Sequence, residues 1–438
     1  MATEEVLKSE LDLFKKVYFQ KSIDHSVIIE YRPTSALSES STIEFVIPIS
    51  PDEYLDTQNI FLNLSGKLVK KDGTDFAATQ DGRFSLIPYG LNSIFDQISI
   101  YLGTTLISQA SNTYGYLAMM EILQEATADK ISTYLQTAGF YSHLTQTSVN
   151  FDTIHSGYAK IFNQSRLFKF YGRIHGLIFN TDKLLLNGLE MRITFNRAPT
   201  TFMCMGSSAV TTPTELAATE PKLNLLDISI LARKVKVARS VLLAHDKVLQ
   251  TTRALYPIKR SIIKIFNLPN SQNIFFIDNV QTGQMPSKMI LGIVTNNEFS
   301  GSYLLNPYKF SHHNLCFLVV NVNNESFPKT PYTPDYDKDN YQREYYDFLL
   351  NIGATRGFEQ PEITYESYKS GHCLYAFNFN SDFESADSSE WISVPKIGFM
   401  NIEIRFKSNL TEALKLICYL QFDNLIEIDY QRNVLVNY

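Results

Sequence analysis

The sequence predicts an all-β protein made of two similar β-sandwiches in tandem. Three observations support this: abundant strand-favouring aromatic residues, short alternating runs broken by glycine, proline and asparagine, and a segment that returns later in the chain. The 438 residues include 30 Phe and 25 Tyr but a single Trp. A chain of this length can hold two or three domains, each with its own core.

The repeat is clearest in residues 175–197, HGLIFNTDKLLLNGLEMRITFNR, which return as HCLYAFNFNSDFES, an acidic insertion and KIGFMNIEIRFK. Residues 179–182 (FNTD) match 379–382 (FNSD), and residues 193–195 (ITF) match 404–406 (IRF). We expect each copy to be a hairpin, with two strands around a polar turn.

The same order of elements precedes both copies of the repeat. An alternating run at residues 97–103 has a counterpart at 316–322, and an aromatic helical pattern follows each run, at 116–136 and at 341–351. The chain therefore divides into two domains of similar plan behind a short leading segment. The predicted parts are an N-terminal arm (1–40), a first sandwich (41–238) and a second sandwich (239–438).

Alternation of apolar and polar residues locates the strands. In the first half it marks residues 43–49, 59–70, 84–87, 94–107, 167–179 and 225–237. In the second half it marks residues 261–266, 273–278, 287–294, 315–322, 399–406 and 413–429. Residues 239–254 read as a connector with helical tendency, and residues 206–222 and 324–340 read as loops rich in small residues or proline.

About eight strands per half, with one helix over an end of each sandwich, is the pattern of a jelly roll. The predicted fold is two tandem eight-stranded jelly-roll sandwiches, with a short covering helix in each and an N-terminal helical arm. The Met and aromatic stripe of the first covering helix is interpreted as core.

The N-terminal arm is predicted from an amphipathic pattern. Leu7, Leu11, Phe14 and Tyr18 recur at helical spacing, and two acids occupy the first turn, where the helix dipole favours them. A polar, serine-rich stretch separates this helix from the first sandwich. The helix either packs back on its own domain or docks on a neighbouring subunit or inner surface.

Charge and targeting signals narrow the function classes. The formal net charge is -6, which argues against a surface devoted to phosphate backbone. The first residues carry acids where a signal peptide needs basic and apolar regions, and no apolar run reaches membrane-spanning length, so a protein made without secretion is expected. Four cysteines without a CxxC pair are expected to be buried and reduced: Cys204, Cys316, Cys373 and Cys418.

Signatures of chemistry are missing or partial, so we expect no enzyme, cofactor or metal. GxGxxG, GxxxxGK[ST], HExxH and GxSxG do not occur. His312 and His313 are adjacent at the start of a predicted strand, where they would face opposite ways and serve structural roles. Residues 335–339 (DYDKD) resemble the opening of a calcium loop, but Asn340 and Tyr346 occupy its glycine and bidentate-acid positions, which favours a solvated acidic loop.

One basic cluster lies at the end of the last strand of the first half. Strand alternation places Lys234 and Lys236 on one face and Arg233 and Arg239 on the other. Divided between two faces, the cluster is a weak candidate for DNA binding. Charged strand positions at solvent or at a partner subunit explain it as well.

Taken over most of its length, the chain resembles the double jelly-roll major capsid proteins of Polinton or Maverick elements and adintoviruses, and more distantly adenovirus hexon and the virophage capsid protein. The order of six short segments carries the resemblance: LDLF at 11–14, QKSI at 20–23, YPI at 256–258, GQMP at 283–286, NPYKF at 306–310 and FDNLIEID at 422–429.

The resemblance implies a viral major capsid protein in the virion, whose two sandwiches give each subunit a pseudo-twofold footprint. Three such subunits would form a pseudo-hexagonal homotrimer that tiles an icosahedral shell. Implied partners are neighbouring capsomers, a penton protein at the vertices and minor capsid proteins, with no sequence-specific nucleic-acid binding. The inserts at 206–222, 324–340 and 381–391 would rise at the outer face.

Two other function classes remain open at this point. A tandem jelly-roll carbohydrate-binding module would need an aromatic platform or an ordered calcium on a concave face. A jelly-roll enzyme would need a cleft with paired carboxylates or a histidine metal site.

Overall fold

The structure is a computed structural model that describes residues 19–37, 42–108, 111–141, 158–206, 219–355, 361–380 and 394–437. Within these ranges, no helix combines the length and the apolar character that a membrane crossing requires.

Nineteen strands are described. Those of the first half are β1 (Ile23–Tyr31), β2 (Ile43–Pro48), β3 (Glu53–Lys70), β4 (Phe84–Leu86), β5 (Phe95–Leu102), β6 (Thr105–Leu106), β7 (Phe168–Arg173), β8 (Glu190–Arg197), β9 (Cys204–Gly206) and β10 (Pro221–Val237). Those of the second half are β11 (Ala254–Leu268), β12 (Ile274–Gln284), β13 (Lys288–Thr295), β14 (Leu315–Val322), β15 (Glu325–Tyr332), β16 (Leu374–Asn378), β17 (Ile397–Phe406), β18 (Leu414–Ile428) and β19 (Val434–Asn437).

Helices are short and lie at the ends of the sheets and between the halves. The α-helices are α1 (Gly90–Ser93), α2 (Tyr114–Glu125), α3 (Ala128–Ser132), α4 (Tyr134–Thr137), α5 (Thr200–Met203), α6 (Arg239–Leu249), α7 (Asn296–Ser300), α8 (Gln342–Ile352) and α9 (Tyr365–Ser370). Single 3-10 turns occur at Ala78–Gln80, Asn163–Ser165, Leu177–Asn180 and Tyr336–Lys338.

The two halves share one sheet topology. In the first half the strand orders are β1-β10-β3-β7 and β2-β8-β5-β6, and in the second half they are β11-β18-β13-β16 and β12-β17-β14-β15. Taken in chain order, each position of the first pair of sheets has its counterpart in the second pair. Each half therefore contains the eight strands of a jelly roll in two antiparallel sheets, and the prediction of two such sandwiches in tandem is confirmed. In addition, β19 pairs with β18 as a fifth strand of one second-half sheet, and β4 and β9 form a separate two-stranded sheet.

Alternating burial explains why these segments form sandwiches. In β8, Met191, Ile193 and Phe195 are fully buried while the residues between them are partly accessible. The Phe195 ring lies 5.8 Å from that of Phe45 and 4.8 Å from that of Phe95, so three strands of one sheet meet at one aromatic contact. β17 repeats the pattern in the second half, because successive side chains of a strand point to opposite faces.

Strand β1 lies inside the segment predicted as the arm. It pairs antiparallel with β10 from Ile23 opposite Val237 to Tyr31 opposite Ile230, and it is the first of the eight strands of the first jelly roll. A first-sandwich boundary at residue 41 is therefore wrong, because it separates this strand from its sheet. Residues 23–31 show no clear alternation of apolar and polar side chains, because most of β1 is exposed on both faces.

The repeated segments are not hairpins. β7 pairs with β3, whereas β8 pairs with β2 and β5; likewise β16 pairs with β13, whereas β17 pairs with β12 and β14. β7 ends at Arg173, just before the first copy begins, whereas β16 lies inside the second copy. In both halves the strand before the FN[TS]D segment and the strand after it lie in different sheets. The hairpin prediction is wrong because alternation identifies strands but not their partners.

The prediction that residues 324–340 form a continuous loop is wrong. β15 occupies Glu325–Tyr332 and pairs with β14, for example Val320 with Phe327. Its prolines are tolerated because β15 is an edge strand, where a missing N–H removes no ladder bond on the open side. Of the predicted insert at 206–222, residues 207–218 lie outside the described residues, and β10 already begins at Pro221. The predicted insert at 381–391 lies outside the described residues.

The predicted helices are present with different continuity. In the first half the aromatic stretch forms three helices, α2, α3 and α4, rather than one, while α8 matches the prediction in the second half. Helix α8 ends at Gly353, whose φ of 89° is in the left-handed region that closes many helices. Helix α6 fills the predicted connector between the halves.

Candidate assembly interface

The two jelly rolls meet within the chain through an aromatic cluster. The Tyr116 ring stacks on Phe299 at 5.6 Å and meets Tyr308 edge-on at the same distance. The Tyr308 hydroxyl donates to Ser93 Oγ over 2.8 Å, which satisfies a fully buried phenol. Burial raises the Tyr308 pKa, so this group stays protonated and available as a donor.

A second zone of the contact is the start of β11 against the segment between β7 and β8. The Tyr256 hydroxyl donates to the Leu184 carbonyl oxygen and accepts from the Leu186 N–H, both over 3.1 Å. The Lys183 ammonium group donates to the Leu255 carbonyl oxygen over 3.1 Å. The first strand of the second jelly roll is thus covered by the sheet-to-sheet crossing of the first.

The first strand of the first jelly roll has no such cover among the described residues. Val27 and Ile28 of β1 are 44% and 55% exposed, whereas Tyr256 and Ile258 of β11 are each 4% exposed. Both strands are edge strands at the same topological position. An edge strand with exposed apolar side chains is a ready site for association with another chain.

Exposed apolar side chains also mark the second jelly roll, at the start of β17 and immediately before it. Val394 is 83% exposed and Ile397 82% exposed, and Phe399 is partly exposed beside them. The Lys396 ammonium group donates to the Phe379 carbonyl oxygen over 3.4 Å, so this strip lies next to the FNSD copy of the repeat.

The basic cluster on β10 is used within the sheet. The Lys234 ammonium group lies 3.2 Å from Glu53, and Arg233 lies 2.9 Å from Asp56. Burial alone would lower the Lys234 pKa, but its bonds to Tyr31 and Glu53 outweigh burial and raise it, so the charge is retained. Lys236 similarly faces Asp52 at 3.3 Å. These pairings leave little of the cluster for a phosphate backbone.

The acidic stretch 335–339 is likewise paired with lysines. Lys407 contacts Asp337 and lies 3.7 Å from Asp335, and Lys369 contacts Asp339. The hydrogen bond from Lys407 lowers the Asp337 pKa. Across the described ranges, no cluster of three or more His, Cys, Asp or Glu side chains has the arrangement of a metal site.

The adjacent histidines precede β14 rather than begin it. The His312 ring stacks on Tyr336 at 4.1 Å, and its Nδ1 accepts from the Asn314 N–H over 2.9 Å. Burial lowers the pKa of both His312 and His313 to about 4, so both are neutral at pH 7. Cys204, Cys373 and Cys418 are buried free thiols, whereas Cys316 is partly accessible.

Sequence reasoning missed one polar chain in the first half. Tyr89, His175 and Glu121 line a cavity of about 300 Å³ between α2, α4 and the strands β3 and β7. Nε2 of His175 contacts the Tyr89 hydroxyl at 2.5 Å, and Nδ1 contacts Glu121 at 2.9 Å. The order suggests a nucleophile, a base and an acid, but burial raises the Tyr89 pKa far above neutral, so the phenol is a hydrogen-bond donor. Only the spatial proximity of residues far apart in sequence reveals this chain.

The arm residues Leu7, Leu11, Phe14 and Tyr18 lie outside the described residues. Their proposed contact with a neighbouring subunit therefore stays a prediction.

Comparison with known proteins adds the fold relationship. No family model matches the chain. The uncharacterized protein F54H12.2 of Caenorhabditis elegans is 20% identical over 411 residues, which span 90% of this chain and 93% of that protein.

Solved structures of viral proteins superpose over nearly the whole chain. A chain of the Sputnik virophage matches with a TM-score of 0.67 at 12% identity, covering 100% of this chain and 93% of its own. The Faustovirus major capsid protein matches with a TM-score of 0.58 at 9% identity, covering 96% and 92%. The mavirus major capsid protein matches with a TM-score of 0.51 at 10% identity, covering 100% and 96%. This chain therefore has the fold of the double jelly-roll major capsid proteins.

Proposed function

We propose that this protein is a viral major capsid protein, located in the virion capsid, whose structural unit is a homotrimer. Three chains, each with two jelly rolls, present six similar blocks, and such a pseudo-hexagonal capsomer can tile an icosahedral shell. The role is structural rather than enzymatic. Neighbouring capsomers, a penton protein and minor capsid proteins are the expected partners.

One observation carries the proposal: equivalent edge strands have different surroundings. β11 is covered by the other jelly roll of the same chain, whereas β1 exposes apolar side chains. A closed ring of three chains would give β1 the cover that β11 already has. Such repetition is the usual consequence of closed rotational symmetry.

The alternative of a carbohydrate-binding module has no comparable support. The candidate calcium stretch has its acids paired with lysines, and the extended aromatic contacts around Tyr341 are stacked on one another rather than presented as an open platform.

Light scattering and electron microscopy of the purified protein test the proposal. We expect a particle of about 150 kDa, three times the 50.0 kDa chain, that does not dissociate on dilution, as obligate interfaces require. Negative-stain images should show hexagonal outlines. A monomer over a wide concentration range would contradict the proposal.

A further inference from the structure

We propose that β1 of one chain binds the exposed strip Val394–Phe399, at the start of β17, of the next chain. This inference rests on the proposed trimer and identifies the surface that holds it together. It follows from treating the contact inside the chain as a template for the contact between chains.

The template is the contact of β11 with the crossing between β7 and β8. Tyr256 bonds to the backbone of Leu184 and Leu186, and Lys183 bonds to the Leu255 carbonyl oxygen. The crossing contributes backbone groups, a lysine and apolar side chains, and the strand contributes its first residues. Leu184 packs against the common core at this contact.

The strand partner is equivalent because β1 and β11 occupy the same place. Each pairs with the longest C-terminal strand of its jelly roll, β10 or β18, and lies at the end of its sheet. The first residues of β1, from Ile23 to Ile28, are exposed, while the corresponding start of β11 includes the buried Tyr256.

The crossing partner is equivalent because the repeat places it so. Residues 179–182 and 379–382 share the FN[TS]D pattern, and each follows the strand that lies on the far edge of its sheet, β7 or β16. The first crossing buries Leu185 and Leu186, whereas the described end of the second leaves Val394 and Ile397 almost fully exposed. The first crossing is packed against β11, whereas no strand among the described residues covers the apolar strip at the corresponding position of the second half.

Chemistry supports the pairing of these two surfaces. Val27 and Ile28 place branched apolar side chains on the two faces of the edge strand β1, so each face of this edge offers an apolar group to Val394 and Ile397. Lys396, in the strip, can provide the donor that Lys183 provides within the chain. Asp24 on the exposed start of β1 is an acidic neighbour for that lysine.

Charged substitutions test the contact in the intact protein. Ile28→Asp and Ile397→Asp each place a carboxylate in the proposed apolar contact, and we expect each to raise the dissociation constant of the trimer more than tenfold. Leu304→Asp is the matched control, because Leu304 is also an exposed leucine-sized residue of the second half, at 51%, outside both surfaces. Circular dichroism should show unchanged folding, because all three positions are exposed.

Cysteine cross-linking tests adjacency directly. Chains carrying Val27→Cys are co-expressed with differently tagged chains carrying Val394→Cys, so that mixed trimers assemble. Both are made in a Cys316→Ser background because Cys316 is the accessible native thiol among the described residues. We expect a disulfide that joins the two tags after denaturation, and none when Leu304→Cys replaces Val394→Cys.

The outcomes separate the inference from the proposed function. A wild-type trimer that survives both aspartate variants and gives no mixed disulfide would overturn this surface while leaving the trimer intact. A monomeric wild-type protein would overturn both.

Discussion

The Tyr256 hydroxyl serves two backbone groups of the other jelly roll at once. It donates to the Leu184 carbonyl oxygen and accepts from the Leu186 N–H, each over 3.1 Å. Burial raises the Tyr256 pKa, so the phenol keeps the proton that this arrangement requires. A single side chain at the start of β11 thus fixes the position of the crossing between β7 and β8.

Tyr256→Phe should destabilise the protein by about 1–3 kcal/mol, because it leaves two buried backbone groups without partners while conserving the ring. Chemical denaturation monitored by far-UV circular dichroism measures the change in the free energy of unfolding. Tyr430→Phe is the control, since Tyr430 is an exposed tyrosine at 53%. Equal stability of the two variants would show that the Tyr256 hydroxyl does not hold the halves together.

Acid should destabilise the folded chain in part through His372. Burial lowers its pKa to about 3, and its Nδ1 has no hydrogen-bond partner within the described ranges. The unfolded chain takes up this proton near pH 6.5, whereas the folded chain does not. The contribution is therefore complete above about pH 6.5 and falls as the pH drops towards 3, by about 1.4 kcal/mol per pH unit.

Urea unfolding at several pH values between 7.5 and 4.5, at one protein concentration, measures this dependence. His372→Gln should make the free energy of unfolding less dependent on pH, reducing the slope by about 1.4 kcal/mol per pH unit, the contribution of one proton. His312 and His313 continue to contribute to the remaining slope. His25→Gln on exposed β1 is the matched control. An unchanged pH slope in His372→Gln would contradict the assignment.

Deleting residues 1–22 should leave the trimer folded, because β1 begins at Ile23 and keeps its pairing with β10. The deletion should impair shell assembly, because it removes the predicted arm. Sedimentation and microscopy of assembly reactions measure the effect. Deleting residues 1–32 is the informative comparison: it removes β1 as well, exposes the edge of β10 and should lower stability. Unfolding after the shorter deletion would refute the assignment of those residues as an arm.

Much of the fold could be predicted because the local periodicity of apolar residues identifies the strands. Alternation predicts a strand at 413–429, and β18 lies at Leu414–Ile428, because its alternating side chains bury one face. β1 was not predicted as a strand, because a strand exposed on both faces shows no alternation of apolar and polar residues. β15 escaped because prolines signal loops, although an edge strand accommodates them.

The assembly surfaces were less accessible to sequence reasoning. The sequence shows the repeat of the FN[TS]D segment. It does not show that the chain crosses between sheets after each copy, or that the first crossing covers β11 while the second ends in an exposed strip. The exposure of a residue depends on what packs against it. An apolar residue can lie in a core or on a free surface, and its identity in the sequence does not distinguish the two.

The amino-acid sequence by itself determined that the chain is mainly β, that one plan occurs twice, and where most of the strands lie, because side-chain alternation and strand propensity are local properties. Only the tertiary structure decided which strands pair, which edge is covered and which is free, and which distant residues, such as Tyr89, His175 and Glu121, meet. Those outcomes depend on contacts between segments far apart in the chain, and no local pattern specifies such contacts.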